Sequence, residues 1–154
     1  MKAGLAADQV AILDAIAARL IPSDEDGPGA REAEVVRYVL RALEDEYSVH
    51  QPAYASGLAA VDEHAKSRFG NGFVGLTLEQ QDALLVNLEQ GQATGFLPSA
   101  SAFFELLRQH ALEGMFGDPS WGGNAGFVGW QLLGYPGPRA VWTEEDQQLE
   151  TVRT

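Results

Sequence analysis

Three histidines, His50, His64 and His110, are the first residues to weigh for chemistry. No two stand four apart and none lies in His-Glu-x-x-His, so no helix-borne zinc pair is encoded. His110 falls on the apolar face of its helix, shortly before Asp118. A His–Asp pair could make a base, but a satisfied, partly buried histidine that holds the segment after Gly114 is the favoured reading. His64 sits beside Glu63 on a mostly polar helix and reads as solvent-exposed. Asp24, Glu25 and Asp26, with Glu32 and Glu34, suggest calcium at first sight. An EF-hand loop, however, needs Asp-x-Asp-x-Asp-Gly with a glutamate six residues later. Gly27 comes too early for that register, so a solvated acidic turn is favoured. No serine lies in Gly-x-Ser-x-Gly and there is no cysteine. Nucleophilic catalysis has no candidate, and disulfides, thiolate metal sites and cysteine-attached haem are excluded. Neither a dinucleotide fingerprint nor metal spacing is present, so any redox chemistry would sit in another chain.

The elements that must position these residues are helical. Leu5, Val10, Leu13, Ile16 and Leu20 recur at helical spacing up to Pro22. Ser23 to Gly29 is a loop by composition. Val36, Val39, Leu40, Leu43 and Tyr47 form a single-face stripe on a second helix. Pro52 opens a third, whose face is Tyr54, Leu58, Val61 and Ala65, and Gly70-Asn71-Gly72 ends it. Thr77 and Gln80 read as a capping box for a fourth helix, which carries Leu84, Leu85 and Leu88. Ser99 or Ser101 caps a fifth, with Phe103, Leu107, His110 and Gly114 on one side. No run of alternating β-branched residues appears. The spacing predicts an all-α, single compact domain of about five to seven helices over residues 1–142. A short acidic helix or tail over 143–154 follows, opened by the cap signature Thr143-Glu-Glu-Asp146.

Bulk composition agrees with a globular domain. The chain has 154 residues, 45% of them hydrophobic and 21% charged, enough to bury a core. The net charge is −12, from 22 acids against 10 bases. Such a chain is repelled by nucleic acid and anionic lipid, and a basic protein surface is the better partner. The apolar runs are too short to insert in a membrane. No signal peptide is visible, which implies a cytoplasmic chain if it is native as given and a periplasmic one if an export signal has been removed.

Composition changes at Gly114. The run to Pro138 holds eight of the 17 glycines, together with Phe116, Trp121, Phe127, Trp130 and Tyr135. Dense glycine signals unusual dihedrals or close backbone approach. Asn124 to Leu133 reads as a short helix capped by Asn124, while Asp118, Ser120 and Asn124 can bind free backbone groups. On physics alone the segment either closes the helical core or docks another protein. A division of labour is expected, with Trp130 and Leu133 facing the core. Phe116, Asp118, Trp121, Asn124 and Tyr135 are the candidate partner-binding residues. No residue is assigned as catalytic, cofactor-binding or metal-binding.

The run Gly114-Met-Phe-Gly-Asp-Pro-x-Trp-Gly-Gly-Asn124, continued by Gly129-Trp-Gln-Leu-Leu-Gly-Tyr-Pro-Gly137, resembles the signature of the small third subunit of gluconate 2-dehydrogenase. Ile21-Pro22 followed by Asp24-Glu-Asp-Gly-Pro-Gly-Ala30 is similar to that family's N-terminal motif. The resemblance spans roughly residues 7 to 138. It implies a non-catalytic small subunit that binds and stabilises a large FAD-dependent flavoprotein of the glucose–methanol–choline type. That partner would oxidise gluconate, glucose, fructose or a glycoside hydroxyl. FAD would reside in the partner, with an iron–sulfur cluster there or haem c in a cytochrome c subunit, and no cofactor in this chain. Exported relatives carry a twin-arginine signal, and none precedes the first helix of this sequence. Two other readings stand beside this one. One is a maturation or export chaperone of the flavoprotein. The other is a free-standing ligand-binding domain with a pocket among Trp121, Trp130 and His110.

Overall fold

A computed structural model describes residues 4–138. Among them are six α-helices and no strand: α1 Ala7–Leu20, α2 Val35–Glu44, α3 Gln51–Phe69, α4 Leu78–Glu89, α5 Ala100–Phe116 and α6 Val128–Leu133. The chain is all-α, as the periodicity indicates. The expected acidic segment 143–154 and its boundary at 142 lie outside the described residues.

The helix ends follow the local chemistry. The Thr77 hydroxyl accepts from Gln80 N at 3.2 Å, and the Gln80 side chain accepts from Thr77 N at 3.1 Å. The Ser99 hydroxyl accepts from Ala102 N, and Gly70 closes α3 at φ 78°, as a left-handed terminus requires. The second helix is shorter than its stripe suggests. It ends at Glu44, and the chain turns back through Tyr47 N donating to Ala42 O. Tyr47 therefore leaves the helical face and lays its ring on His110.

The longest apolar stripe after α3 belongs to α5, and α5 packs against each of the other five helices. Its Phe103, Leu107, Ala111 and Met115 meet Ile16 of α1, Val39 and Leu43 of α2, Leu58 and Val61 of α3, and Leu84 and Leu88 of α4 in one core. Gly57 lets α3 approach α5. A Cβ there would stand 2.4 Å from the Phe103 ring, which is itself wedged between Tyr54 and Phe96. Alanine is the better helix former by about 1 kcal/mol, but overpacking a confined ring costs about 1–3 kcal/mol. Gly57→Ala should therefore lower stability by a net of up to about 2 kcal/mol in urea unfolding, against the helix-propensity trend.

Candidate partner-binding face

The glycine-aromatic segment is a strap laid over the last turns of α5. The helix continues through Gly114, whose absent side chain leaves room for the Tyr38 ring, 3.0 Å from where a Cβ would stand. Past Gly117, the Asp118 carboxylate accepts from Ser120 N at 2.9 Å and starts a 3-10 turn over Pro119–Trp121. Arg41 of α2 donates to Ser120 O at 2.7 Å. The strap then folds back so closely that only glycine fits. A Cβ on Gly123 would lie 2.2 Å from Gly114 O, and one on Gly129 1.9 Å from Met115 O.

Asn124 ties the strap together. Its backbone N–H donates to Gly114 O at 2.7 Å, and its Nδ2 donates to Gly117 O at 2.9 Å. Its Oδ1 accepts from Gly129 N at 2.8 Å and from Trp130 N at 3.4 Å. Those two N–H groups are in the first turn of α6, so Asn124 caps that helix across the 3-10 turn Ala125–Phe127. The Trp130 indole donates to Phe116 O at 2.7 Å, and its ring meets Tyr135 edge-on.

The two motifs that carry the family resemblance meet in space. Asp24 and Gly27 exchange backbone hydrogen bonds, and Ala30 N donates to Ile21 O at 2.8 Å. This N-terminal turn joins the strap where Ala125 N donates to Ala33 O at 3.1 Å. Beside it, Leu132 lies 2.9 Å from where a Cβ on Gly27 would be. Among the described residues, the non-glycine positions at positive φ are Glu34, Asn124 and Phe127, all at this seam. Each costs on the order of 1 kcal/mol, and such strain gathers at functional sites.

The outer side of the strap is apolar. Trp121 is 51% exposed, Phe127 52%, Leu132 43%, Leu133 63% and Tyr135 40%. A groove of about 440 Å³ runs along Phe127, Trp130, Gln131 and Tyr135 to Pro138.

The structure sorts the candidate residues. Trp121 and Tyr135 are half exposed, Asp118 is exposed beside Trp121, and Phe116 packs partly into the core. Asn124 is 1% exposed, so it does not reach a partner's surface. Its burial follows from the five hydrogen bonds it makes inside the strap, one of them from Phe127 N to its carbonyl. Leu133, expected in the core, points to solvent because Gly129 and Trp130 take the inner side of α6. Phe127, Leu132 and Leu133 belong to the exposed patch and were not among the candidate partner-binding residues. Their signal, a six-residue helix ended by Gly134 in the left-handed region, does not say which side faces in.

The histidines also differ from expectation. His64 is partly buried, and its Nε2 has no hydrogen-bond partner, because α3 turns that face toward the loop at Thr94 and Gly95. His110 is buried and does not hold the strap. Its Nδ1 is 2.9 Å from the Tyr54 hydroxyl, and its ring stacks on Tyr47 at 4.4 Å. It is enclosed by tyrosines, so the expected pocket with Trp121 and Trp130 does not form around it. One turn further on, Glu113 accepts from the Tyr38 and Tyr47 hydroxyls at 2.7 and 3.0 Å and from Gln109. Burial opposes the charge on Glu113, but the donors Tyr38, Gln109 and Tyr47 outweigh it and hold its carboxyl below the usual range. Burial pushes His110 down, with His50 adding to the effect and Glu113 opposing it. Among the described residues no group of three or more His, Cys, Asp or Glu gathers as a metal site, and no helix is long and apolar enough to cross a membrane.

Fold and face together define an all-helical bundle that presents a rigid glycine-aromatic strap at one end of its central helix. The chain belongs to the gluconate 2-dehydrogenase subunit 3 family, whose model matches residues 7–137. Comparisons with curated proteins and with solved structures returned no match.

Removing the Asn124 side chain strands two buried N–H groups and a carbonyl. Asn124→Ala should cost about 3 kcal/mol in urea unfolding, with Trp130 fluorescence reporting the loosened strap. His110 titrates lower in the folded chain than its ordinary value of 6.5, so the unfolded chain binds more protons near that pH. Its contribution is complete above about pH 6.5 and declines as pH falls toward the folded pKa. The stability gap between wild type and His110→Gln should therefore narrow between pH 8 and pH 5. A gap that widens toward acid would refute a buried neutral imidazole.

Proposed function

We propose that this chain is a non-catalytic small subunit that binds and stabilises a large FAD-dependent dehydrogenase of the glucose–methanol–choline type. The partner oxidises a sugar, sugar acid or glycoside hydroxyl and holds the FAD. An iron–sulfur cluster in that partner or a cytochrome c subunit carries the electrons away. Family membership supports the subunit role. The observation that carries docking is Phe127: a bulky residue held at φ 62° with its ring half exposed. A chain that folded only for itself would gain nothing by straining an aromatic outward. The surrounding exposed apolar side chains fit the core of an obligate interface, which commonly exceeds about 2,000 Å² in total.

Co-expression with a large flavoprotein of that type from the same genome tests this reading. The two chains should elute together and remain in fixed ratio in the active enzyme. A flavoprotein that folds and works alone would sink the proposal, and a small chain that leaves after folding would make it a chaperone. Trp121→Ala should weaken association at least tenfold, the range of a central aromatic anchor, while shifting the unfolding midpoint of the free chain little, because the ring is half in solvent. The reverse ranking would make Trp121 a residue of the fold alone.

A further inference from the structure

The N-terminal motif also walls a cavity. We infer that this cavity binds a neutral amide group carried beside a small aliphatic side chain, as a peptide presents them. It has a volume of about 390 Å³ and lies between the last turn of α1, the two legs of the N-terminal turn and the start of α4. The motif makes its wall rigid. Ala30 N donates to Ile21 O, and a Cβ on Gly29 would stand 2.5 Å from Ile21 O and Ser23 N, so the two legs are in direct contact. Ala15, Ala18, Ile21, Pro22 and Leu76 give the cavity an aliphatic lining. Val74 and Leu78, which also line it, are more than half exposed.

Two polar groups of the lining have an open valence. Gln81 is 5% exposed. Its Nε2 donates to Phe73 O at 3.0 Å, which fixes the side-chain amide and leaves Oε1, among the described residues, an acceptor without a donor. Arg19 gives Nε and Nη2 to Asp82 at 2.7 and 2.8 Å and keeps Nη1 open. Asp82 follows Gln81 in α4, so the open acceptor and the open donor are set at adjoining positions. The N–H of an amide would meet the first and its C=O the second. Charge disfavours an ion. Arg31, also in the lining, is tied to Asp14 at 2.8 Å, and Glu32 accepts from Gly29 N, so two guanidiniums stand among three carboxylates. An anion would meet the carboxylates and a cation the guanidiniums. None of the described lining residues is aromatic, so a sugar or base ring has no face to lie on. A polyol would bury hydroxyls against aliphatic walls. A neutral amide with an aliphatic neighbour satisfies each of these constraints.

The experiment titrates the full chain with N-methylisobutyramide, methyl isobutyrate and isobutyrate. NMR follows the Gln81 side-chain amide and the methyls of Val74, Leu76 and Leu78. The amide should give saturable shifts at these groups. The ester keeps the carbonyl and lacks the N–H, and it and isobutyrate should each bind about fivefold weaker or worse, the worth of one hydrogen bond. Ala18→Leu fills the cavity and should abolish the shifts while the rest of the spectrum stays that of the folded chain. Arg19→Lys keeps the charge opposite Asp82 and loses the guanidinium fork, and it should weaken the amide about fivefold. The inference is overturned by no saturable shift, by an ester that binds as well as the amide, or by isobutyrate that binds better. Undiminished binding by Ala18→Leu or by Arg19→Lys overturns it too. None of these measurements needs the large subunit, so the site stands or falls apart from docking. Association of Ala18→Leu with the large subunit then names the source. A loss of about tenfold assigns a peptide segment of that subunit, and an unchanged affinity assigns a free amide, each with the site retained.

Discussion

One buried amide governs the glycine-aromatic end of this molecule. Asn124 reaches back to Gly114 and Gly117 and forward to Gly129 and Trp130. It therefore ends one helix, starts another and closes the loop between them. Satisfying those groups inside the protein is what allows a glycine-rich segment to be rigid, since each buried N–H or C=O left open would cost about 1–3 kcal/mol. The glycines around it are not a source of flexibility. Gly123 and Gly129 lie against main-chain carbonyls where no side chain fits, and their backbones are held by contact.

The strap is rigid only because its base is. It rests on the last turns of α5, and α5 is set against α2 and α3 by the Tyr38, Tyr47, Tyr54, His110 and Glu113 cluster. Tyr38 has two contacts in this arrangement. Its hydroxyl binds Glu113, and its ring fills the space that Gly114 leaves. A polar cluster inside a helical interface is costly unless its members are paired, and here the tyrosines, the imidazole and the carboxylate partner one another. Burial in this arrangement lowers the pKa of His110, whereas for Glu113 the donors Tyr38, Gln109 and Tyr47 outweigh burial and lower it.

Much of this was legible in the sequence. The Thr77 and Ser99 caps, the Gly70 terminus and the stripe of α3 are local signals, read over a few residues and unaffected by the rest of the fold. The family follows from motifs that are also local and long. What could not be read depends on long-range packing. The inward side of α6 is chosen by Met115 and Phe116, so Leu133 looked like core and is not. Asn124 looked like surface because polar residues in glycine loops usually are, yet the strap closes over it. His110 was expected to be satisfied by holding the segment after Gly114, its neighbour in sequence, whereas Tyr54, far earlier in the chain, is its partner. His64 appeared solvated from its neighbours on α3, but it is partly buried in a cleft that Thr94 and Gly95 also line.

The bond from Ala125 to Ala33 has a further consequence, for the order of folding. The apolar face is not a property of the strap alone, because Leu132 finds its place against Gly27 only after the N-terminal turn has met the C-terminal segment. Contacts of such high sequence separation carry the largest loop-closure entropy and reward the chain late. The exposed aromatic surface is thus complete only when the N-terminal turn and the C-terminal strap have come together. A nascent chain does not display it in finished form, and a partner that recognises it recognises completion.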